Sequence, residues 1–249
     1  MTRAIPIVIA AYNEAMVQAI AGSLRGFIHV GDEIDLVSGN HNNPLSVGNV
    51  NRWCESLTAS LPPGTLFAAH TSGLDNTSTL AEQALPAVHS ILLDYEPDFD
   101  PTFTWEFAPT LSHLDQFAAV CRAKGRRAVA YPTGRAIQEP PLARYEWDYA
   151  ELLNHVDDAY PQTQHWASLG TAAWTSATAK LRAQHARRGL DPHTLVVQLT
   201  IGQGGNAIPS GPALERYREV SREGLRRLYL WWSPPVVDDL SRFLAGIES

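Results

Sequence analysis

The chain has only two cysteines, Cys54 and Cys121, and neither has a metal-ligand spacing around it. No disulfide framework or zinc site is encoded, and no metal or other cofactor is expected. No apolar run reaches the roughly 18 residues that a membrane span needs, so a membrane partner is not expected. Clustered positive charge is also scarce, with 19 Lys and Arg against 26 Asp and Glu and a net charge of -7. Nucleic acid is therefore not an expected partner, because binding phosphates takes a local excess of cations. The basic groups at 122–127 and 182–188 fall near expected helix ends, where they complement the helix dipole. The start lacks a charged leader followed by an apolar stretch and a small-residue cleavage site, which sets the expectation of a cytoplasmic protein. A glycine-rich dinucleotide fingerprint is missing after the first strand pattern, where Ala11-Tyr12-Asn13-Glu14 stands instead.

What is present is a regular alternation. Eight short apolar runs, at 5–12, 33–40, 65–72, 90–96, 127–133, 156–162, 194–201 and 227–232, each end in a polar or turn-forming cluster. Such runs suit strands buried on both faces. Helical patterns at 14–24, 47–60, 79–85, 111–124, 144–154, 169–188, 212–224 and 236–247 fill the gaps. With 249 residues and no internal repeat or linker composition, the pattern predicts an α/β fold, a single (β/α)8 TIM barrel in one domain over 1–249.

In such a barrel the functional end is formed by the C-terminal ends of the strands. The polar residues placed there are Tyr12, Asn13 and Glu14, then Asn40 and His41, His70 and Ser72, and Asp94 and Glu96. The later strands add Tyr131, then Asp157, Asp158, Tyr160 and Gln162, Gln198 and Gln203, and Trp231 and Trp232. Acids and amides pair hydroxyl groups while aromatic rings cover C–H faces, so the expected ligand is a small-molecule or oligosaccharide substrate. In Ser90-Ile91-Leu92-Leu93-Asp94-Tyr95-Glu96 the period of two puts Leu92, Asp94 and Glu96 on one face. Two neighbouring carboxylates resist double ionisation, and the one that keeps its proton serves as a donor.

Asp94-Tyr95-Glu96 at a fourth strand resembles the family 18 glycoside hydrolases, the chitinases and endo-β-N-acetylglucosaminidases, whose fourth strand ends in Asp-x-x-Asp-x-Asp-x-Glu. The resemblance implies that Glu96 is the general acid and that Asp94 orients an N-acetyl group on an amino-sugar substrate. Asp158-Ala159-Tyr160-Pro161 resembles the family's Met-x-Tyr-Asp, which implies that Tyr160 holds the acetamido carbonyl. Leu230-Trp231-Trp232-Ser233 is similar to the segment that supplies the floor of the sugar site. Trp231 and Trp232 alternate faces, and matching the family position favours Trp232. The remaining expected substrate-binding residues are Tyr12, Asn40, His70, Tyr131, Asp158, Gln162 and Gln198. The first two acids of the family pattern are replaced by His89 and Leu92, and the closing Asp by Pro161. Family 25 lysozymes are a second resemblance, through the same Asp-x-Glu and a following strand similar to 127–131.

Four other readings compete. Gly202-Gln203-Gly204-Gly205-Asn206 lies where many barrels cradle a phosphate, although Lys124 and Lys180 both fall in helices, away from the strand ends. His41, His70, Asp94 and Glu96 are residue types that bind divalent metals, without a tight ligand spacing. The replaced acids also admit a carbohydrate-binding barrel without catalysis, or a biosynthetic cyclase or lyase reusing the same acid. Oligomeric state is not legible in the sequence.

Overall fold

The computed structural model describes residues 4–39, 44–95, 111–134, 149–202 and 204–248. Eight strands, β1 (Ile7–Ala11), β2 (Glu33–Val37), β3 (Leu66–Ser72), β4 (Val88–Tyr95), β5 (Arg127–Pro132), β6 (Asp158–Ala159), β7 (Val196–Thr200) and β8 (Arg227–Trp231), form one parallel sheet. Its order is β6-β5-β4-β3-β2-β1-β8-β7, and β1 pairs with both β2 and β8, so the sheet curls into a (β/α)8 barrel. Around it, among the described residues, run α1 (Glu14–Ala21), α2 (Val47–Ser60), α3 (Leu74–Gln83), α4 (Leu111–Ala123), α5 (Tyr149–Leu152), α6 (Gln164–Ser168), α7 (Thr171–Arg187), α8 (Ser210–Arg222) and α9 (Val237–Glu248).

The helices form where the apolar spacing repeats every three to four residues. Val50, Trp53, Cys54 and Leu57 make the buried stripe of α2, and Leu240, Phe243 and Leu244 that of α9. Asn13 starts α1 by accepting the Met16 N–H at 3.0 Å, and Ser46 starts α2 by accepting the Asn49 N–H at 3.3 Å. No described helix is long and apolar enough to cross a membrane.

Alternation along the strands divides the core into two shells. Ile7, Ile9, Ile34, Leu36, Ile91, Leu93, Leu228 and Leu230 pack outward against the helices. Val8, Ala10, Val37, Ala68, Leu92, Val129, Tyr131, Tyr160, Val196 and Tyr229 fill the barrel interior. This inner set fixes which side chains at the strand ends open onto the functional face.

β6 and β7 share no ladder, and a side chain closes that seam. The Thr163 hydroxyl donates to the Gln198 carbonyl at 2.8 Å and accepts the Gln198 N–H at 2.7 Å. The sixth strand is consequently shorter than the expected 156–162, although its backbone follows β5 through Tyr160 N–H to Ala130 O at 2.8 Å and Gln162 N–H to Pro132 O at 3.0 Å. The third helix starts at Leu74 rather than 79. Gly73, at φ 86, turns the chain straight out of β3, and Thr77, Leu80 and Ala81 then give the helix a buried face. The helix expected at 169–188 is preceded by a separate short one, α6, because Gly170 at φ 107 breaks the run.

Candidate functional site

The interior face of β4 carries Leu92 and then, two residues on, Asp94. Asp94 stands level with Ser72 of β3 on one side and Tyr131 of β5 on the other. It is half-buried, and its Oδ1 accepts a bond from the Gln162 amide at 3.4 Å. Gln162 is itself oriented by the Gln164 amide, which donates to its Oε1 at 3.2 Å. The carboxylate therefore sits at the mouth with its direction set by two successive amides from the segment after β6. Glu96, Asn40, His41 and Gln203 lie outside the described residues.

Across the mouth, Tyr12 follows β1 and Trp231 ends β8. Their rings stack with centroids 5.7 Å apart and planes 15° from parallel. His70 of β3 lies edge-on to Tyr131 at 4.7 Å and to Trp231 at 6.5 Å. Its Nδ1 is 2.8 Å from Oδ2 of Asp35, which also accepts the Tyr229 hydroxyl. Tyr12, His70, Asp94, Tyr131, Gln162 and Trp231 thus converge at one end of the barrel.

Other expected site residues are placed elsewhere. Trp231, not Trp232, faces the mouth. Trp232 is 1% exposed in the outer shell, and its indole N–H donates to the Ala10 carbonyl at 2.9 Å. Residue 231 shares the interior parity of Tyr229, which leaves 232 pointing at the helices. Asp158 is the first residue of β6 and sits at the opposite end of the barrel, 1% exposed. It is held by Arg127 at 2.9 Å and Arg226 at 2.7 Å, which commits its carboxylate to two guanidinium groups away from the mouth. Burial raises its pKa, but the two guanidinium groups outweigh burial and bring it below the ordinary carboxylate value.

Tyr160 is fully buried, and its hydroxyl donates to Oε2 of Glu33, the first residue of β2, at 3.1 Å. That bond directs it down the barrel, away from the expected acetamido carbonyl. Gln198 is 2% exposed inside the barrel, where its backbone closes the Thr163 seam. Asn13 caps α1, Glu14 accepts the Trp53 indole N–H at 2.8 Å, and Asp157 pairs with Arg122 at 2.8 Å, all within the helical shell. The Gly202 N–H is bonded to the Ile208 carbonyl at 3.0 Å, which removes one of the amides a phosphate cradle would use. Among the described residues no three His, Cys, Asp or Glu side chains are grouped to hold a metal.

Glu33 and Asp35, which are not among the expected site residues, are both 0% exposed inside the barrel. Their signal was present: acids at alternate positions of Glu33-Ile34-Asp35-Leu36-Val37 must share the face of Val37, which is interior. Glu33 also pairs with Arg227 of β8. Its complete burial pushes its pKa up to about 7, opposed by Arg227 and assisted by Asp35. Burial raises the Tyr229 and Tyr160 hydroxyls well above their ordinary value, helped by the carboxylates of Asp35 and Glu33 respectively.

No protein-family model matches the chain, and no curated protein sequence does either. Its fold is similar to that of solved glycoside hydrolases. The PgaB (BpsB) glycoside hydrolase domain from Bordetella bronchiseptica aligns with a TM-score of 0.70 at 11% identity, over 99% of this chain and 98% of that one. A GH18 chitinase from Pseudoalteromonas aurantia aligns with a TM-score of 0.66 at 11% identity, over 98% of both. The chitinase-like agglutinin RobpsCRA from Robinia pseudoacacia aligns with a TM-score of 0.60 at 12% identity, over 96% of this chain and 98% of that one. The likeness spans the whole barrel, and at these identities it is a likeness of fold.

Proposed function

We propose that the protein is a glycoside hydrolase-like enzyme that acts by general acid catalysis on an N-acetylated amino sugar or a similar polar substrate. In this reading Glu96 protonates the leaving oxygen as its bond to the sugar carbon breaks, and Asp94, two residues earlier in the sequence, assists. Tyr12 and Trp231 cover a face of the sugar ring, while Gln162 and Tyr131 border Asp94. The observation that carries the reading is the position of Asp94. It is the next-to-last residue of β4, near the C-terminal face of the barrel, and is directed by Gln162, at the end of the barrel where Tyr12 and Trp231 stack. The similarity in fold to chitinases and to a glycoside hydrolase domain supports the same chemistry.

The test is Glu96→Gln, which removes the proton donor at nearly constant shape. It should keep the fold and ligand binding and lower turnover of a chromogenic N-acetylglucosaminide by about a hundredfold or more. Unchanged turnover removes Glu96 from its role. A second reading, a carbohydrate-binding barrel without catalysis, is favoured by Leu92 and Pro161 standing where the chitinase pattern has acids, and by the similarity to an agglutinin. Saturable binding of N-acetylglucosamine oligomers with no turnover by the unaltered protein decides for it.

A further inference from the structure

Among the described residues, the arginines that lie against the core are met by acceptors, with one exception. Arg126 donates to the carbonyls of Ala81, Ala84, Leu85 and Val88. Arg227 is paired with Glu33, Arg127 and Arg226 with Asp158, and Arg182 with Glu223. The exception is Arg216, on the inner face of α8 and only 7% exposed. Its guanidinium makes one hydrogen bond, from Nη1 to the Thr171 hydroxyl at 2.6 Å, and its Nε is buried without a partner. No described carboxylate pairs with it. Glu219, one turn further along α8, accepts the Thr175 hydroxyl instead. A guanidinium taken out of water without a counter-charge is costly, and buried charges are as a rule paired.

In front of this cation lies the first turn of a long helix. The Trp174 indole N–H donates to the Arg216 carbonyl at 3.2 Å, which sets the middle of α8 level with the start of α7. Helical side chains slant toward the N-terminus of their own helix, and Arg216 slants in that direction to reach Thr171, the first residue of α7. This helix is 17 residues long, and Gly170 before it offers no side-chain cap. Trp174 is the first of its residues whose N–H is bonded back, to the Gly170 carbonyl at 3.1 Å. Among the described residues the amides of Thr171, Ala172 and Ala173 are therefore open, at the positive end of the helix dipole. Thr171 and Ala172 are exposed, so solvent reaches the turn. Because α7 follows β6, the turn belongs to the rim of the functional end.

A buried cation and a helix N-terminus thus meet, joined by a hydroxyl that accepts from Nη1 and still has its own proton to donate. Donors that converge from a guanidinium, a hydroxyl and helix amides suit a tetrahedral oxyanion, whose oxygens point in several directions, better than a planar carboxylate. We propose that Arg216, Thr171 and the opening amides of α7 form a binding site for phosphate or sulfate, free or as an ester, between α7 and α8. The site uses none of the residues assigned to the mouth and does not depend on the sugar-hydrolase reading.

Titration of the full chain with inorganic phosphate, at an ionic strength held constant with chloride, tests it. In nitrogen–proton NMR the amides of Ala172 and Ala173 and the Nε–H of Arg216 should shift together along one saturating curve, and the melting temperature should rise with phosphate as linkage requires. Arg216→Met, which keeps much of the length and removes the charge, should weaken phosphate binding by at least about tenfold. Thr171→Val, at an exposed position outside the core, should weaken it by about tenfold, the effect of one hydrogen bond to a charged group. No saturable shift of the α7 amides, or the same affinity in Arg216→Met, overturns the proposal. If Arg216→Met does not fold, unchanged affinity in Thr171→Val overturns it. N-acetylglucosamine 6-phosphate in a parallel titration separates the sources. Tighter binding than inorganic phosphate on the same amides supports a site for an esterified group, and equal or weaker binding supports a site for the free ion.

Discussion

The rings of Tyr12 and Trp231, at the ends of the neighbouring strands β1 and β8, stack 5.7 Å apart at the open end of the barrel, while the adjacent Trp232 is buried behind the sheet with its N–H on the Ala10 carbonyl. Two adjacent indoles thus have separable roles. Trp231→Ala should weaken binding of N-acetylglucosamine oligomers by about tenfold or more, since a stacked aromatic contributes about 1 kcal/mol beyond its buried area. Trp232→Phe should leave binding within about twofold and lower stability by about 1–2 kcal/mol through the lost hydrogen bond and packing. Calorimetric binding and urea denaturation of both variants check this, and the reverse assignment of effects refutes it.

The hydroxyl of Tyr160 is committed to Glu33. Tyr160→Phe should therefore cost about 1 kcal/mol in urea denaturation and change turnover by no more than about twofold. A hundredfold loss of turnover with stability intact would mean that the hydroxyl serves the substrate after all.

The base of the barrel holds two groups with opposite pH linkage. Glu33, pushed from 4.5 up to about 7 by burial, binds its proton more tightly folded than unfolded. Its contribution to stability is full below about pH 4.5 and is lost as the pH rises through about 7. His89, lowered from 6.5 to about 4 mainly by burial, contributes stability above about pH 6.5 that is lost as the pH falls through about 4. Between those limits the two slopes oppose each other. Urea denaturation at several pH values should show Glu33→Gln gaining on the unaltered protein by about 3 kcal/mol as the pH rises from about 4 to about 8. His89→Phe should lose ground over the same interval. Slopes of the same sign in both variants defeat the assignment.

Thr163 closes the seam between β6 and β7 with one hydroxyl that both donates and accepts. Thr163→Val keeps the shape and leaves the Gln198 N–H and carbonyl unpaired in a fully buried place, at a cost of about 2–4 kcal/mol. Thr163→Ser retains both bonds and should cost about 1 kcal/mol. Equal losses in the two variants would show that the methyl group, and not the hydroxyl, holds the seam.

The barrel was legible in the chain because its strands are continuous apolar runs and its helices carry their own periodicity, both of which are local properties. Where local signals were weak, boundaries moved. Thr163 completes β6 through a residue 35 positions away, and Gly73 starts α3 in a stretch with little apolar pattern. At the mouth, the period of two correctly put Asp94 on the face of Leu92. It could not choose between Trp231 and Trp232, because parity is relative until one residue of the strand is anchored, and Tyr229 inside the barrel anchors it.

The sequence by itself determined the order of elements, their alternation and the polar character of the strand ends, since these follow from residue types and their spacing. Which acids meet which bases was decided only by closure of the barrel. Asp158 is drawn to Arg226, 68 residues on, and Glu33 to Arg227, 194 residues on. Asp35 is brought to His70 by the pairing of β2 with β3. Electrostatic partners depend on distance through space, and distance through space is set by strand register and curvature, which no local pattern contains.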